Sequence, residues 1–265
     1  HDDRKNIASV LTALQPDPTG YGRVIRSSDD LILKIVEEKD ATESEKEIDE
    51  INTGVYLFDL AVLRDVIKNL KNDNAQKELY LTDVISLINS SGKKSHAILS
   101  NDYSETLGIN DRTQLAECAA IMRDRINSQH MLNGVTIVDP TTTWIDHDVK
   151  IESDVLIYPG SSITGASNIK SEAVIGPRTT LNSCVVEEGA KVVESNCTES
   201  VIGKGAKVGP FTYLRKGSVL KNESKAGSFV EIKNSTVGKG SKVAHLSYVG
   251  DAEIGEETNI GAATV

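Results

Sequence analysis

The sequence predicts a mixed α/β domain over residues 1–110, a connecting helix over 111–133, and a β-helix of hexapeptide repeats from 134 to the last residue. Three observations carry this reading. Aliphatic residues fall six apart at Ile145, Ile151, Ile157, Ile163, Ile169, Ile175 and Leu181, and again at Ile202, Val208, Leu214, Leu220, Ala226 and Ile232. A step of six is neither the helical repeat nor the alternation of a plain strand. It fits a short strand plus a corner, three of which close a triangular coil with one aliphatic side chain per side pointing inward. Upstream, strand-like and helix-like segments alternate, as in a layered α/β domain. A single long helical stretch lies between the two patterns.

Taken in order, Ile7 to Leu14 reads as a strand. Tyr21 to Arg26 and Leu31 to Glu38 read as two more, joined at the turn-rich Ser27-Ser28-Asp29-Asp30. Glu43 to Asp49 is polar and suits a short helical turn, and Asn52 to Leu60 is an apolar strand with Val55 to Phe58 at its centre. Ala61 to Leu70 and Leu79 to Ile88 have helical spacing around a loop at Asn72 to Gln76, and Ser95 to Ser100 is a further strand. Asp111 caps the long helix, Leu115, Cys118, Ile121, Met122 and Ile126 mark one face of it, and Asn133-Gly134 stops it. It reads as a spacer between domains; packing on the first domain is the alternative. Within the repeats, Leu181 to Ile202 is one coil plus three residues, which predicts a small loop near Glu187 to Glu199. Steps of five at Ile232–Val237 and Val249–Ile254 predict two shortened corners bracketing residues 238–253. Departures from an ideal repeat tend to be functional or strained.

Composition narrows the function. The chain of 265 residues has 29 Lys and Arg against 39 Asp and Glu, a net charge of -10 that disfavours nucleic acid and anionic membranes as partners. An anionic ligand must therefore meet a local cationic pocket. No apolar run approaches the ~20 residues of a membrane span. Cys118, Cys184 and Cys197 lack metal-ligand spacing, and an odd number suits a reducing cytoplasm. Aromatic content of 4% suits a narrow prism that admits Ile and Val but few rings. The chain starts at His1 and stops within a repeat at Val265, which reads as a piece of a longer protein.

Two spacings suggest chemistry. Arg215 and Lys233 are one eighteen-residue circuit apart and so share a corner on successive coils. Two cations ~5 Å apart repel by roughly 1–3 kcal/mol depending on the surrounding dielectric. An anion between them reverses that sign, Arg215 offering a planar fork and Lys233 a point charge. A solvated pair of surface charges is the alternative. His245 lies in the bracketed segment, and imidazole is a side chain able to act as a base at neutral pH; spacing alone leaves a structural role equally open. Tyr248 and Asn259 are nearby polar candidates for orienting a substrate, and spacing does not show that they converge.

The motifs Gly209-Pro210-Phe211-Thr212-Tyr213-Leu214-Arg215, Gly227-Ser228-Phe229-Val230-Glu231-Ile232-Lys233, the run from His245 to Gly255 and Asn259-Ile260-Gly261-Ala262 resemble one family. It is the bacterial bifunctional N-acetylglucosamine-1-phosphate uridyltransferase/glucosamine-1-phosphate acetyltransferases. Tyr21-Gly22-Arg23, Ile35-Val36-Glu37, Glu50-Ile51-Asn52-Thr53-Gly54, Asn74-Ala75-Gln76 and Gly108-Ile109-Asn110-Asp111-Arg112 extend the likeness through the first domain in family order. The resemblance implies an incomplete, Rossmann-like α/β nucleotidyltransferase domain and a left-handed β-helix that assembles as a homotrimer. Crossover rules alone would suggest the opposite hand. It implies acetyl transfer from acetyl-CoA to glucosamine 1-phosphate, then uridylyl transfer from UTP to N-acetylglucosamine 1-phosphate. The product, UDP-N-acetylglucosamine, supplies peptidoglycan synthesis.

Residue by residue, the resemblance makes His245 the general base and gives Arg215 and Lys233 the sugar phosphate. It gives Tyr248 and Asn259 the sugar and Ala262 the acetyl-CoA. Gly22, Glu37, Asn52 and Asn110 would contact UDP-N-acetylglucosamine, Asn110 also ligating Mg2+. The family's glycine-rich nucleotide loop, the aspartate that partners Asn110 on the metal and the last coils of the coenzyme site are not in this sequence. Lys216 stands where proline is usual, and Val243-Ala244 replaces a more common small pair. These departures predict that the 265 residues alone catalyse no uridylyl transfer and little acetyl transfer. A related acyltransferase or nucleotidyltransferase for another sugar, and a trimerisation scaffold without catalysis, are the competing readings.

Overall fold

The computed structural model describes residues 6–29 and 31–265, so Asp30 of the expected turn lies outside the described residues. The chain divides into two compact units, His1–Leu115 and Ala116–Val265. In the first, β1 (Ala8–Leu14), β2 (Arg23–Arg26), β3 (Ile32–Val36), β4 (Glu50–Phe58) and β5 (Ser95–Leu99) form one sheet in the order β3-β2-β4-β1-β5. β1 runs antiparallel to β4 and parallel to β5, while β2 is antiparallel to both β3 and β4. Helices α2 (Leu60–Val66) and α3 (Asp83–Ser90) cover the sheet. Val66, Val84, Ile85 and Ile88 pack there against Ala8, Val10, Val24, Ile32 and Ile35. The one-turn helix α1 (Glu43–Lys46) is held by a capping box between Thr42 and Glu45. Helix α3 starts four residues later than the spacing suggests, because residues 79–82 form an approach turn that places Thr82 over the end of β3.

Helix α4 (Arg112–Leu132) carries its expected cap, Asp111 accepting from Gln114 N at 2.8 Å. Its apolar stripe is largely outside the core: Leu115 and Met122 are about half exposed. The buried residue is Asn127, whose amide donates to the carbonyls of Pro140 and Thr143, both at 2.9 Å. Ile126 packs on the core that follows and Arg123 sits over the Trp144 ring. Polar anchoring at one point, rather than a greasy seam, holds this end of the helix.

The second unit is a parallel β-solenoid with three faces. Ile137, Ile157, Ile175, Val192, Val208, Ala226, Val243 and Ile260 stack along the first face. Ile145, Ile163, Leu181, Cys197, Leu214, Ile232 and Val249 stack along the second. The third face runs from Ile151 through Ile169, Val186, Ile202, Leu220 and Val237 to Ile254. Apart from Ile151, Ile254 and Ile260 near the ends, these side chains are buried.

No loop leaves the coil near 187–199. Val186, Val192 and Cys197 fill those positions inward, so the twenty-one residues between Leu181 and Ile202 are four steps of five, six, five and five. The shortened corners turn through left-handed residues, Ser183 (φ 53°), Glu194 (φ 43°) and Glu199 (φ 42°), a conformation that ordinarily favours glycine. The predicted five-residue steps hold such residues too, Asn234 (φ 44°) and Asp251 (φ 50°), as do six-residue steps at Glu223 (φ 59°) and Leu246 (φ 49°). Shortening is therefore a general way of turning this prism and does not single out residues 238–253. A second inward column lies two residues before each aliphatic, and much of it is Ser or Thr. Its hydroxyls tie corners to coils, as where Ser218 Oγ bonds the carbonyls of Arg215 and Ile232.

Candidate functional site

On the solenoid, the pairing of Leu214 with Ile232 puts Arg215 directly beneath Lys233 at the corner between the second and third faces. Arg215 N donates to the Ile232 carbonyl at 2.8 Å, which locks this corner. Ser235 Oγ holds the Lys233 carbonyl at 2.7 Å from below the surface. Both cations are partly exposed, and with Thr198, Tyr213, Lys216, Asn234 and Asp251 they line a cleft of about 500 Å³. Neither cation is bare. Arg215 meets Glu231 at 3.0 Å and Lys233 meets Asp251 at 3.1 Å. Hydrogen bonds from Asn234, then from Lys233, hold the Asp251 carboxyl below its usual range. Each cation thus has a carboxylate of its own beside it, which offsets the repulsion between the two. The sequence signal for Glu231 was available: it lies two residues before Lys233 on one strand and so on the same outward side.

Tyr248 joins this corner. It is in register with Glu231, and its hydroxyl lies over Gly250, where any Cβ would collide with it. His245 points outward, exposed, at the other edge of the second face, in register with Ser228. The next residue, Leu246, turns that corner at φ 49°. Ala263 N donates to the Leu246 carbonyl at 2.8 Å, which sets Ala262 on the coil above His245. Asn259 does not join them on this chain: it pairs with Lys242 on the first face, around the corner from the cations. Thus one face carries Arg215, Lys233 and Tyr248, one corner carries His245 and Ala262, and Asn259 lies beyond it. Phe211 and Phe229, stacked with centroids 5.3 Å apart, and Leu246 make that corner apolar and exposed.

In the first unit, Gly22, Glu37 and Asn52 come together although they sit on three segments. Asn52 N donates to the Gly22 carbonyl at 2.8 Å. A Cβ on Gly22 would lie 3.2 Å from Ile35 Cγ2, 3.4 Å from Glu37 Oε2 and 3.6 Å from Asn52 Cβ, so glycine keeps this spot open. Thr82 donates to Glu37 Oε1 at 3.0 Å, aiming the carboxylate. Burial pushes the nearby Tyr56 hydroxyl, which faces Asn52, up to about 12. Asn110 is exposed, its backbone N held by Gln114 Oε1 at 2.6 Å. Tyr21 Oη accepts from Gly108 N at 3.2 Å and tethers the segment that carries it. Among the described residues no group of three His, Cys, Asp or Glu could hold a metal ion. Asn110 offers a single amide oxygen, so these residues do not by themselves make a magnesium site.

The family model for nucleotidyl transferases matches residues 1–146. The bifunctional protein GlmU of Mycolicibacterium smegmatis is 51% identical over 265 residues, covering 100% of this chain and 55% of that protein. The bifunctional protein GlmU of Corynebacterium jeikeium is 52% identical over 257 residues, covering 97% of this chain and 53% of its own length. The chain thus spans about half the length of the curated relatives it matches. Among solved structures, a UDP-N-acetylglucosamine O-acyltransferase from Moraxella catarrhalis RH4 is 12% identical, with a TM-score of 0.44 over 48% of this chain and 65% of that one. No helix among the described residues is long and apolar enough to cross a membrane. With more than half of its length matched by the family model, the chain belongs to the nucleotidyl transferase family.

Proposed function

We propose that this chain is part of a cytoplasmic, homotrimeric enzyme that makes UDP-N-acetylglucosamine in two steps. In the first, glucosamine 1-phosphate docks its phosphate between Arg215 and Lys233. Tyr248 and Asn259 hold the sugar, Asn259 reaching it from the first face, which a neighbouring copy would complete. The His245 imidazole takes a proton from the ammonium group, the freed amine attacks the thioester carbonyl of acetyl-CoA beside Ala262, and coenzyme A leaves as the thiol. In the second step, a phosphate oxygen of N-acetylglucosamine 1-phosphate attacks the α-phosphorus of UTP and diphosphate departs. Gly22, Glu37, Asn52 and Asn110 hold the N-acetylglucosamine end, and Mg2+ belongs to this step.

The observation that carries the reading is the stacked register of Arg215 and Lys233 with Tyr248 over the same face. The likeness to bifunctional relatives through both units supports it. In the intact protein, His245→Ala should lower acetyl transfer to glucosamine 1-phosphate by at least about a hundredfold, the usual scale for losing a general base. Oligomer mass and uridylyl transfer should not change. Undiminished acetyl transfer would leave the solenoid as a scaffold, and preference for another amino sugar would change the acceptor.

A further inference from the structure

Two of the residues assigned to the nucleotide sugar, Gly22 and Glu37, adjoin the partners of one buried side chain, Arg23. Arg23 is 1% exposed, and its guanidinium is the largest charged group buried among the described residues of the first unit. It donates to the Tyr21 carbonyl and, at 3.4 Å, to the Lys46 carbonyl, and it pairs with Glu38 at 2.8 Å. Its Nε is also buried and has no hydrogen-bond partner among the described residues. A buried cation with an unsatisfied donor is costly. Stability alone does not explain such a group.

Its contacts do. The Tyr21 carbonyl is the atom immediately before Gly22. Glu38 is the residue immediately after Glu37. Arg23 itself pairs in the sheet with Val36 on one side and Ile51 on the other, the residues that lead into Glu37 and Asn52. A guanidinium presents its donors in one rigid plane and so holds the Tyr21 and Lys46 carbonyls and Glu38 in a fixed arrangement, whereas the three donors of an ammonium sit on one atom at the end of a flexible stem.

We propose that Arg23 is a positioning residue of the uridylyl-transfer site, its guanidinium holding Gly22 and Glu37 in register for the sugar of N-acetylglucosamine 1-phosphate. This rests on the function proposed above. In the intact protein, Arg23→Lys keeps the charge opposite Glu38 and loses the fork. It should raise KM for N-acetylglucosamine 1-phosphate about tenfold while kcat stays within about threefold, the pattern expected when ground-state contacts loosen. Acetyl transfer, read on the same preparation, should be unchanged. A folded Arg23→Lys protein whose KM stays within about twofold of the parent overturns the proposal. Should Arg23→Lys fail to fold, Glu38→Gln keeps the guanidinium and removes the charge that it pairs with beside Glu37. It should raise the same KM about threefold, and an unaltered KM overturns the proposal equally. A parent protein without uridylyl transfer would instead sink the function from which this inference starts.

Discussion

The two units build their candidate sites by opposite means. In the solenoid, each coil contacts only its neighbours, so the place of Arg215 follows from the place of Lys233 one circuit later. The α/β unit assembles Gly22, Glu37 and Asn52 from separate segments, and a buried arginine ties those segments together. A repeat makes a site by translation; a sheet with crossovers makes one by convergence. Damage should therefore spread differently in each. A fault in one coil is felt by the coils above and below it, while a fault at Arg23 would reach Gly22 and Glu37 on separate segments.

The largest test of this contrast removes core volume. Leu214 is fully buried one residue before Arg215. Leu214→Ala should cost roughly 2–5 kcal/mol of stability by denaturant titration, the range for large-to-small changes in packed cores. Acetyl transfer should suffer at temperatures where uridylyl transfer is intact, and equal loss of both would break the comparison. The smallest test is at the surface of the first unit. Glu45 completes the Thr42 capping box and meets Lys34 at 2.8 Å. The hydrogen bond with Lys34, then those with Thr42, lower its carboxyl from 4.5 to about 2. Because the folded value lies below the unfolded one, this contribution is present above pH 4.5 and fades as the pH falls toward 2. Glu45→Gln should cost under about 1 kcal/mol at neutral pH, and the deficit should vanish in acid. A deficit that persists there would assign it to packing.

The same contrast explains what the sequence revealed. The aliphatic beat named the inward residues of the solenoid and the stacked cations, since register is a matter of counting. It missed Val186, Val192 and Cys197, because three of the four steps between Leu181 and Ile202 are five residues long and carry these side chains off the beat of six. It also missed Glu231 and Asp251 as counter-ions, although strand alternation held the clue for Glu231. In the first unit, the strand and helix order was legible but the meeting of Gly22, Glu37 and Asn52 was not. It depends on the crossing of β2, β3 and β4, which no local pattern encodes. Arg23 stood in the sequence only as the end of the motif Tyr21-Gly22-Arg23, and its burial was not legible there.

The central claim is that the circuit of the prism makes Arg215 and Lys233 into a single anion site. A double-mutant cycle on acetyl transfer in the intact protein tests it directly. Arg215→Ala and Lys233→Ala should each lower kcat/KM for glucosamine 1-phosphate by about tenfold or more, and the double variant should lose clearly less than the product of the two, as for groups sharing one partner. Strictly multiplicative losses would contradict the account, because they would mean that the two cations act on different charges.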